Sequence, residues 1–247
     1  MPSFAVIVPA AGKSSRFNAR EKKPFAALDG RAIWLRAIEH FVARPEVQQC
    51  IIVISPDDAP KFRERYGPNL MFMNVEVVEG GSERFESVAN ALAKVQPGIE
   101  YVAVHDAVRP NVSSAIVDAV FAAAIKHGAA LPALPIADTV KQVDADGKVT
   151  STMPREGLWL AQTPQVFRRE LLEKAYAARL KLGKTITDDA QLVEAFGHEV
   201  RVVMGSSANF KITTQSDLML AEALLNAGRQ AKADEQRGSH PFADEEY

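Results

Sequence analysis

Apolar and polar positions along the chain fall into two rhythms. Short apolar-rich runs at 5–8, 51–54, 74–78, 101–104 and 129–136 have the length of strands buried on both faces, and a last strand is predicted at 199–204. Between them the period lengthens. Ile33, Ala37, Ile38, Phe41 and Val42 recur at helical spacing, and Phe85, Val88, Ala89, Leu92 and Ala93 follow i, i+3, i+4, i+7, i+8. Further helices are predicted at 116–126, closed by Gly128, at 168–182, and at 188–196 with Thr187 as N-cap. Thr214 and Asp217 have capping-box spacing and open a final helix to Leu225.

Strands that alternate with helices require crossover connections. The expected fold is therefore α/β, a doubly wound and mainly parallel sheet with helices on both faces. One segment departs from this rhythm. Residues 139–152 alternate around Asp146-Gly147, a hairpin signal, and predict a β-arm, about 137–158, projecting from the main sheet. Exposed strand edges invite pairing, so the arm is a candidate homodimer contact. Residues 1–226 read as one domain that includes the arm. Residues 227–247 are polar, mixed in charge and without periodicity, and are expected to be disordered.

Composition narrows the function classes. With 247 residues, 47% hydrophobic, the chain can bury a core without disulfide staples. Its one cysteine, Cys50, adjoins an apolar run and reads as a core residue, which fits a reducing cytoplasm. There is no apolar stretch long enough for a membrane span, and no secretion signal is expected at a start that runs straight into a strand. A net charge of −2 argues against bulk binding of nucleic acid, so a polyanionic ligand has to be met by a local cluster of Lys and Arg.

Such clusters follow the predicted strands, where open parallel sheets bind ligands. The first strand leads into Ala10-Ala11-Gly12, then Lys13, Arg16, Lys22 and Lys23; the third into Gly80-Gly81-Ser82; the fourth into His105, Asp106 and Arg109; the last toward Lys211. Small residues let backbone approach a ligand, and free N–H groups favour phosphate. The Gly12-Lys13-Ser14 turn is neither a Walker A loop nor a Rossmann glycine fingerprint. The histidines and Cys50 lack metal-ligand spacing, no Gly-x-Ser-x-Gly elbow occurs, and His105 at a strand end reads as structural.

Several segments taken together are specific. The first turn, Lys23-Pro24-Phe25, His105-Asp106-Ala107-Val108-Arg109-Pro110, Thr163-Pro164-Gln165-Val166-Phe167, Thr187-Asp188-Asp189-Ala190 and Asn209-Phe210-Lys211-Ile212-Thr213 occur in an order that resembles the 2-C-methyl-D-erythritol 4-phosphate cytidylyltransferases of isoprenoid biosynthesis. The resemblance spans about residues 4–225. It implies a Rossmann-like nucleotidyltransferase fold whose arm dimerises. It also implies a reaction of CTP with a phosphorylated polyol that releases pyrophosphate, with Mg2+ on the triphosphate. Arg16, Lys23, Arg155 and Lys211 would be the catalytic cations. Ala10, Ala11, Gly12, Gly81, Ser82, Ser87 and Ala107 would line the nucleotide pocket. Asp106, Arg109, Thr139 and Thr163 would hold the acceptor, and Asp106 would lie near the metal.

One departure is Ser14, where many members of that family carry a second glycine; its Cβ bears on the geometry of the phosphate loop. Arg155 could serve its own pocket or a partner's. A ribitol-5-phosphate cytidylyltransferase would share most of these motifs, and a non-catalytic nucleotide-binding regulator would share the fold.

Overall fold

The computed structural model describes residues 1–12, 22–179 and 186–238. Its main sheet has eight strands. Four run parallel, in the order β5 (Val75–Glu79), β4 (Val47–Ile54), β1 (Phe4–Pro9) and β6 (Tyr101–Val104). Next to β6 lies β11 (Gln165–Arg168), antiparallel to it, and then β7 (Ala129–Pro135). The strand β10 (Trp159–Ala161) runs antiparallel to the end of β7, and β12 (Arg201–Met204) pairs in parallel with β7.

The alternation of side chains across each strand builds two cores at once. Phe4, Val6 and Val8 of β1 with Cys50, Ile52 and Ile54 of β4 face helices α1 (Ile33–Val42), α2 (Ala59–Phe72) and α4 (Ser114–His127). Ala5, Ile7, Ile51 and Val53 face the other way, against α3 (Arg84–Leu92), α5 (Arg169–Ala178) and α6 (Asp189–Ala195). Strands covered on both faces have no polar face to present to water, which is why their sequences are continuous apolar runs. A third, smaller cluster joins Leu28, Ile33, Val108, Ile212 and Ala221 beneath α7 (Gln215–Gly238). Among the described residues, no helix is long and apolar enough to cross a membrane.

The expected strands and most helices are present, and the parallel core is as predicted. The hairpin forms as β8 (Val140–Val143) and β9 (Val149–Met153), a two-stranded sheet separate from the main one, with Gly147 at φ 80° in its turn. Its apolar side chains are solvent-facing: Val143 and Val149 are each 53% exposed, and the neighbouring Leu160 56%.

Several elements were not foreseen and two expectations need correction. The helix α2 went unpredicted because it contains Gly67 and Pro68 and only Ala59, Phe62 and Tyr66 of its residues are buried. The strands β10 and β11, also unpredicted, are the antiparallel members of the mainly parallel sheet. Asp188, not Thr187, caps α6, accepting a hydrogen bond from the Gln191 amide at 2.9 Å. The stretch from 227, expected to be disordered, is helical to Gly238. Residues 227–238 include three Ala, two Gln and two Arg, which favour helix without an apolar stripe. Arg229 also anchors it on Asp29, which pairs with Arg36 as well. The capping box at the start of α7 forms as read: Thr214 Oγ1 accepts from the Asp217 amide, and the Asp217 carboxylate accepts from the amides of Thr213 and Thr214. The last residues of the helix predicted at 168–182 fall outside the described residues.

Phe167 of β11 is fully buried between the sheet and α5. Phe167→Ala is expected to cost about 3–5 kcal/mol of stability, measured as a loss of urea midpoint at constant slope.

Candidate active site

The parallel strands β1, β4, β5 and β6 all end at one edge of the sheet, and their following loops meet there. The loops after β1 and β5 form a floor of small residues. Ala10 donates to Val53 O and Gly80 to Ile54 O, each at 2.8 Å, which holds both loops against the end of β4. A Cβ on Gly80 would meet Ser87 Oγ at 2.6 Å and Ala11 Cβ at 2.8 Å, so only glycine allows these loops to touch. Ser87 is buried; its hydroxyl donates to Glu83 O and accepts from the Gly81 amide, bracing the turn from below. Glu86 closes it from the side, taking the Ser82 amide at 2.7 Å and hydroxyl at 2.6 Å. Gly12, in contrast, has nothing among the described residues within 4 Å of where a Cβ would lie.

The loop after β6 carries the charge. Asp106 lies almost buried, and its Oδ2 is shared by Lys211 Nζ at 3.1 Å and Arg109 Nε at 3.3 Å. Burial alone would raise the pKa of this carboxyl. Lys211, then Arg84 and Arg109, outweigh burial and hold it well below the ordinary carboxylate range. Asp106 is thus an anion at neutral pH, embedded among cations.

Beneath it, His105 is fully buried and hydrogen-bonded at both ring nitrogens. The Arg109 carbonyl, 3.1 Å from Nε2, can only accept, so Nε2 carries the proton. Nδ1 is then an acceptor, and the Thr163 hydroxyl donates to it at 3.1 Å. That hydroxyl in turn accepts from the Asp106 amide at 3.0 Å. The directions agree around the chain for a neutral imidazole with its proton on Nε2. Desolvation keeps it neutral, lowering its pKa from 6.5 to about 4. The imidazole is therefore a strut for the 105–109 loop, as its strand-end position suggested.

The structure brings together Asp106, Arg109, Thr163 and Lys211, and separately Ala11, Gly81, Ser82 and Ser87 around Gly80. Ala10 and Ala107 are buried at the bases of these loops. Lys23 opens a short 3-10 helix, Lys23–Phe25, on the same edge, while its neighbour Lys22 is paired with Asp58 after β4. Burial of Asp58 opposes its charge, yet the Lys22 hydrogen bond prevails and its pKa is lowered. Lys13, Ser14 and Arg16 lie outside the described residues. Thr139 and Arg155 sit on the exposed arm, where Arg155 Nη1 donates to Ala137 O at the arm's own base.

Sequence reasoning overlooked Arg84. Its guanidinium donates to Asp189 Oδ2 at 2.7 Å, and Tyr176 OH donates to the other oxygen of that buried carboxylate. Burial disfavours the charge on Arg84, but Asp189 overcomes this and raises its pKa. One signal was present: a cation in the first turn of a helix opposes the helix dipole and calls for an anionic partner elsewhere. Gln165, read only as part of a motif, clamps the start of α6 through Asp188 Oδ2 and the Ala190 amide.

Among the described residues no group of three or more His, Cys, Asp or Glu could hold a metal. Asp106 is the carboxylate set among the cations of this edge, and a single carboxylate would leave a magnesium ion held chiefly by other ligands rather than by a protein cage.

Residues 4–227 match the IspD family, 2-C-methyl-D-erythritol 4-phosphate cytidylyltransferase. The chain belongs to this family. A 2-C-methyl-D-erythritol 4-phosphate cytidylyltransferase from Frankia casuarinae is 43% identical over 225 residues, 91% of this chain and 82% of that protein. One from Rhodopirellula baltica is 40% identical, covering 92% of this chain and 96% of the other. Among solved structures, the 4-diphosphocytidyl-2C-methyl-D-erythritol synthase of Anaerococcus prevotii superposes with a TM-score of 0.77 at 31% identity, covering 91% and 99% of the two chains. The mainly parallel α/β sheet is thus the family's fold, and the edge carrying Asp106 is where this IspD chain assembles its cations.

The neutral strut has a consequence for stability. The unfolded chain binds a proton at His105 below pH 6.5, whereas the folded one resists until about pH 4, so stability falls as pH drops through that window, by up to about 3 kcal/mol. Urea midpoints measured from pH 7 to 4 are expected to decline in the wild type and to decline less in His105→Asn. Equal slopes in the two proteins would assign the effect to other groups.

Proposed function

We propose that this chain transfers the cytidylyl group of CTP to 2-C-methyl-D-erythritol 4-phosphate, giving 4-diphosphocytidyl-2-C-methyl-D-erythritol and pyrophosphate, in isoprenoid precursor biosynthesis. The observation that carries the reading is the convergence of Arg109 and Lys211 on the buried Asp106, in a chain of this family.

The chemistry calls for such a site. A phosphate monoester has a second pKa near 6, so the acceptor is already largely ionised at neutral pH and needs no general base. Its oxygen forms a bond to the α-phosphorus of CTP, the bond from that phosphorus to the bridging oxygen breaks, and the electron pair leaves with pyrophosphate. The obstacle is repulsion between two polyanions, which preorganised cations remove.

In this reading Lys211 and Arg109 receive the acceptor phosphate, and Asp106 holds the two cations side by side while accepting from a polyol hydroxyl. Thr163 fixes the backbone of Asp106. The floor formed by Ala10, Ala11, Gly12, Gly81, Ser82, Ser87 and Ala107 receives cytidine, its small side chains leaving backbone groups to read the pyrimidine edge. Lys23 and Arg16 act at the α-phosphate. Mg2+ would be held by the triphosphate with Asp106 as the chain's carboxylate, and it would neutralise phosphate charge. A single buried cysteine, Cys50, and hence no disulfide framework, accords with a cytoplasmic location.

We further infer a homodimer in which each arm carries Thr139 and Arg155 to the partner's pocket. Supporting this, a two-stranded hairpin is marginal by itself, and this one exposes Val143, Val149 and Met153.

Pyrophosphate release with CTP and Mg2+ is expected with methylerythritol 4-phosphate and not with ribitol 5-phosphate; the opposite preference would reassign the acceptor. In the same assay Lys23→Ala is expected to lower kcat about 10²–10³-fold, and near-normal turnover would remove Lys23 from the reaction. Mixing Arg155→Ala with Lys211→Ala tests the arm. If it serves the partner, reshuffled dimers regain about a quarter of wild-type activity from two impaired proteins, because half are mixed and each mixed dimer has one intact pocket. No recovery after verified exchange would place Arg155 in its own pocket.

A further inference from the structure

Lys211 lies beyond a loop, 205–209, that is anchored at its start by the Gly205 amide on Ala133 O at 2.8 Å and turned by the Asn209 amide on Ser206 O at 3.0 Å. The side chain from elsewhere that spans the loop is Gln162, which is 5% exposed. Gln162 sits between β10 and β11, its own amide hung on Pro132 O of β7 at 2.8 Å. Its Nε2 donates to Ser206 O at 2.8 Å. Its Oε1 accepts from the Ser206 amide at 3.3 Å and from Asn209 Nδ2 at 3.2 Å. The loop is pressed against it: a Cβ on Gly205 would meet Gln162 Oε1 at 2.5 Å.

Asn209, fully buried, passes this placement on. Its Nδ2 also donates to Thr163 O at 2.9 Å, and its backbone carbonyl accepts from Arg109 Nη1 at 2.7 Å. The chain then delivers Lys211 to Asp106 Oδ2, and the Ile212 amide closes onto Val108 O at 2.9 Å. One carboxamide thus stands behind both cations of the site while touching neither.

We propose that Gln162 is a positioning residue for acceptor binding: through Ser206 and Asn209 it sets the loop that lets Arg109 and Lys211 share the Asp106 carboxylate. The inference rests on the reading that these cations receive the acceptor phosphate. A carboxamide suits the task because Ser206 presents both a donor and an acceptor, which neither a carboxylate nor an apolar side chain can satisfy together. A lost partner would leave buried backbone groups unpaired and the loop free to relax.

The test is steady-state kinetics of pyrophosphate release with methylerythritol 4-phosphate for Gln162→Met, Gln162→Asn, Lys211→Ala and the double variant Gln162→Met/Lys211→Ala, with circular dichroism to measure the folded fraction. Gln162→Met is expected to raise acceptor KM about tenfold or more, equivalent to about 1.4 kcal/mol, with CTP KM changed by less than about twofold. Gln162→Asn, which keeps the carboxamide one methylene back, should fall between it and wild type, and it carries the comparison if Gln162→Met does not fold. The double variant should bind acceptor less weakly than the product of the two single effects, because Gln162 acts partly through Lys211 and partly through Arg109. An unchanged acceptor KM in both Gln162 variants, effects that multiply in the double variant, or a loss that merely tracks the folded fraction would each overturn the positioning role. If Lys211→Ala itself left acceptor KM at the wild-type value, the acceptor reading would fail instead, and this inference with it.

Discussion

Asp106 is a carboxylate taken almost wholly out of water at the end of a buried strand, and the site is organised by what keeps it ionised. A buried charge without partners costs several kcal/mol, and pairing offsets that only when geometry and remaining hydrogen bonds are good. Here Lys211 and Arg109 reach one oxygen from opposite segments of the chain, and Arg84 adds its field from a third. The pairing works in both directions. The carboxylate needs the cations to stay buried and ionised, and two cations side by side need the carboxylate to remain there without a ligand. The Arg109 side chain is 11% exposed and that of Lys211 44%, so one cation of the pair is largely desolvated while the other reaches solvent.

Such a cluster is only as well placed as the backbone beneath it. That support is a lattice of neutral hydrogen bonds, running from the Asp106 amide through the Thr163 hydroxyl and the His105 ring to the Arg109 carbonyl. It continues through Asn209 and Gln162 to the end of β12. These groups are buried and, apart from Asn209 Oδ1, hydrogen-bonded to one another, which in a low-dielectric interior makes them stiff. The second support is the ion pair of Arg84 with Asp189, which ties the first turn of α3 to α6 and lets a cation sit at a helix end that would otherwise repel it. The site thus combines charges at its surface with a neutral, rigid layer behind them. A positively charged His105 would be a buried charge in this neutral layer, which is why burial keeps the ring a neutral strut.

The floor of small residues follows a different principle, the removal of side chains. Gly80 against Ala11 and Ser87 leaves no room for a Cβ, and the loops after β1 and β5 close over the end of β4 by backbone contact. The arm extends in the opposite sense, away from the main sheet with apolar residues in water. The molecule therefore has one edge where everything converges and one element that points outward.

The strand and helix rhythm, the parallel core, the hairpin at Asp146-Gly147, the capping box at Thr214 and the ordering of the site segments were legible in the sequence alone. Each depends on neighbours a few residues apart, where the periods of 2 and 3.6 directly express which faces are buried. The same rule explains the misses. Gly67 and Pro68 masked α2, and 227–238 lacks the apolar period while keeping helix-forming residues. What only the tertiary structure decided are the pairings across long separations. These are Arg84 with Asp189, Lys211 with Asp106, Gln162 with Ser206 and Asn209, and the antiparallel insertion of β11 between β6 and β7. Charge and hydrogen-bonding capacity are written in each residue. The partner is selected by distance and direction in space, which a linear pattern does not contain.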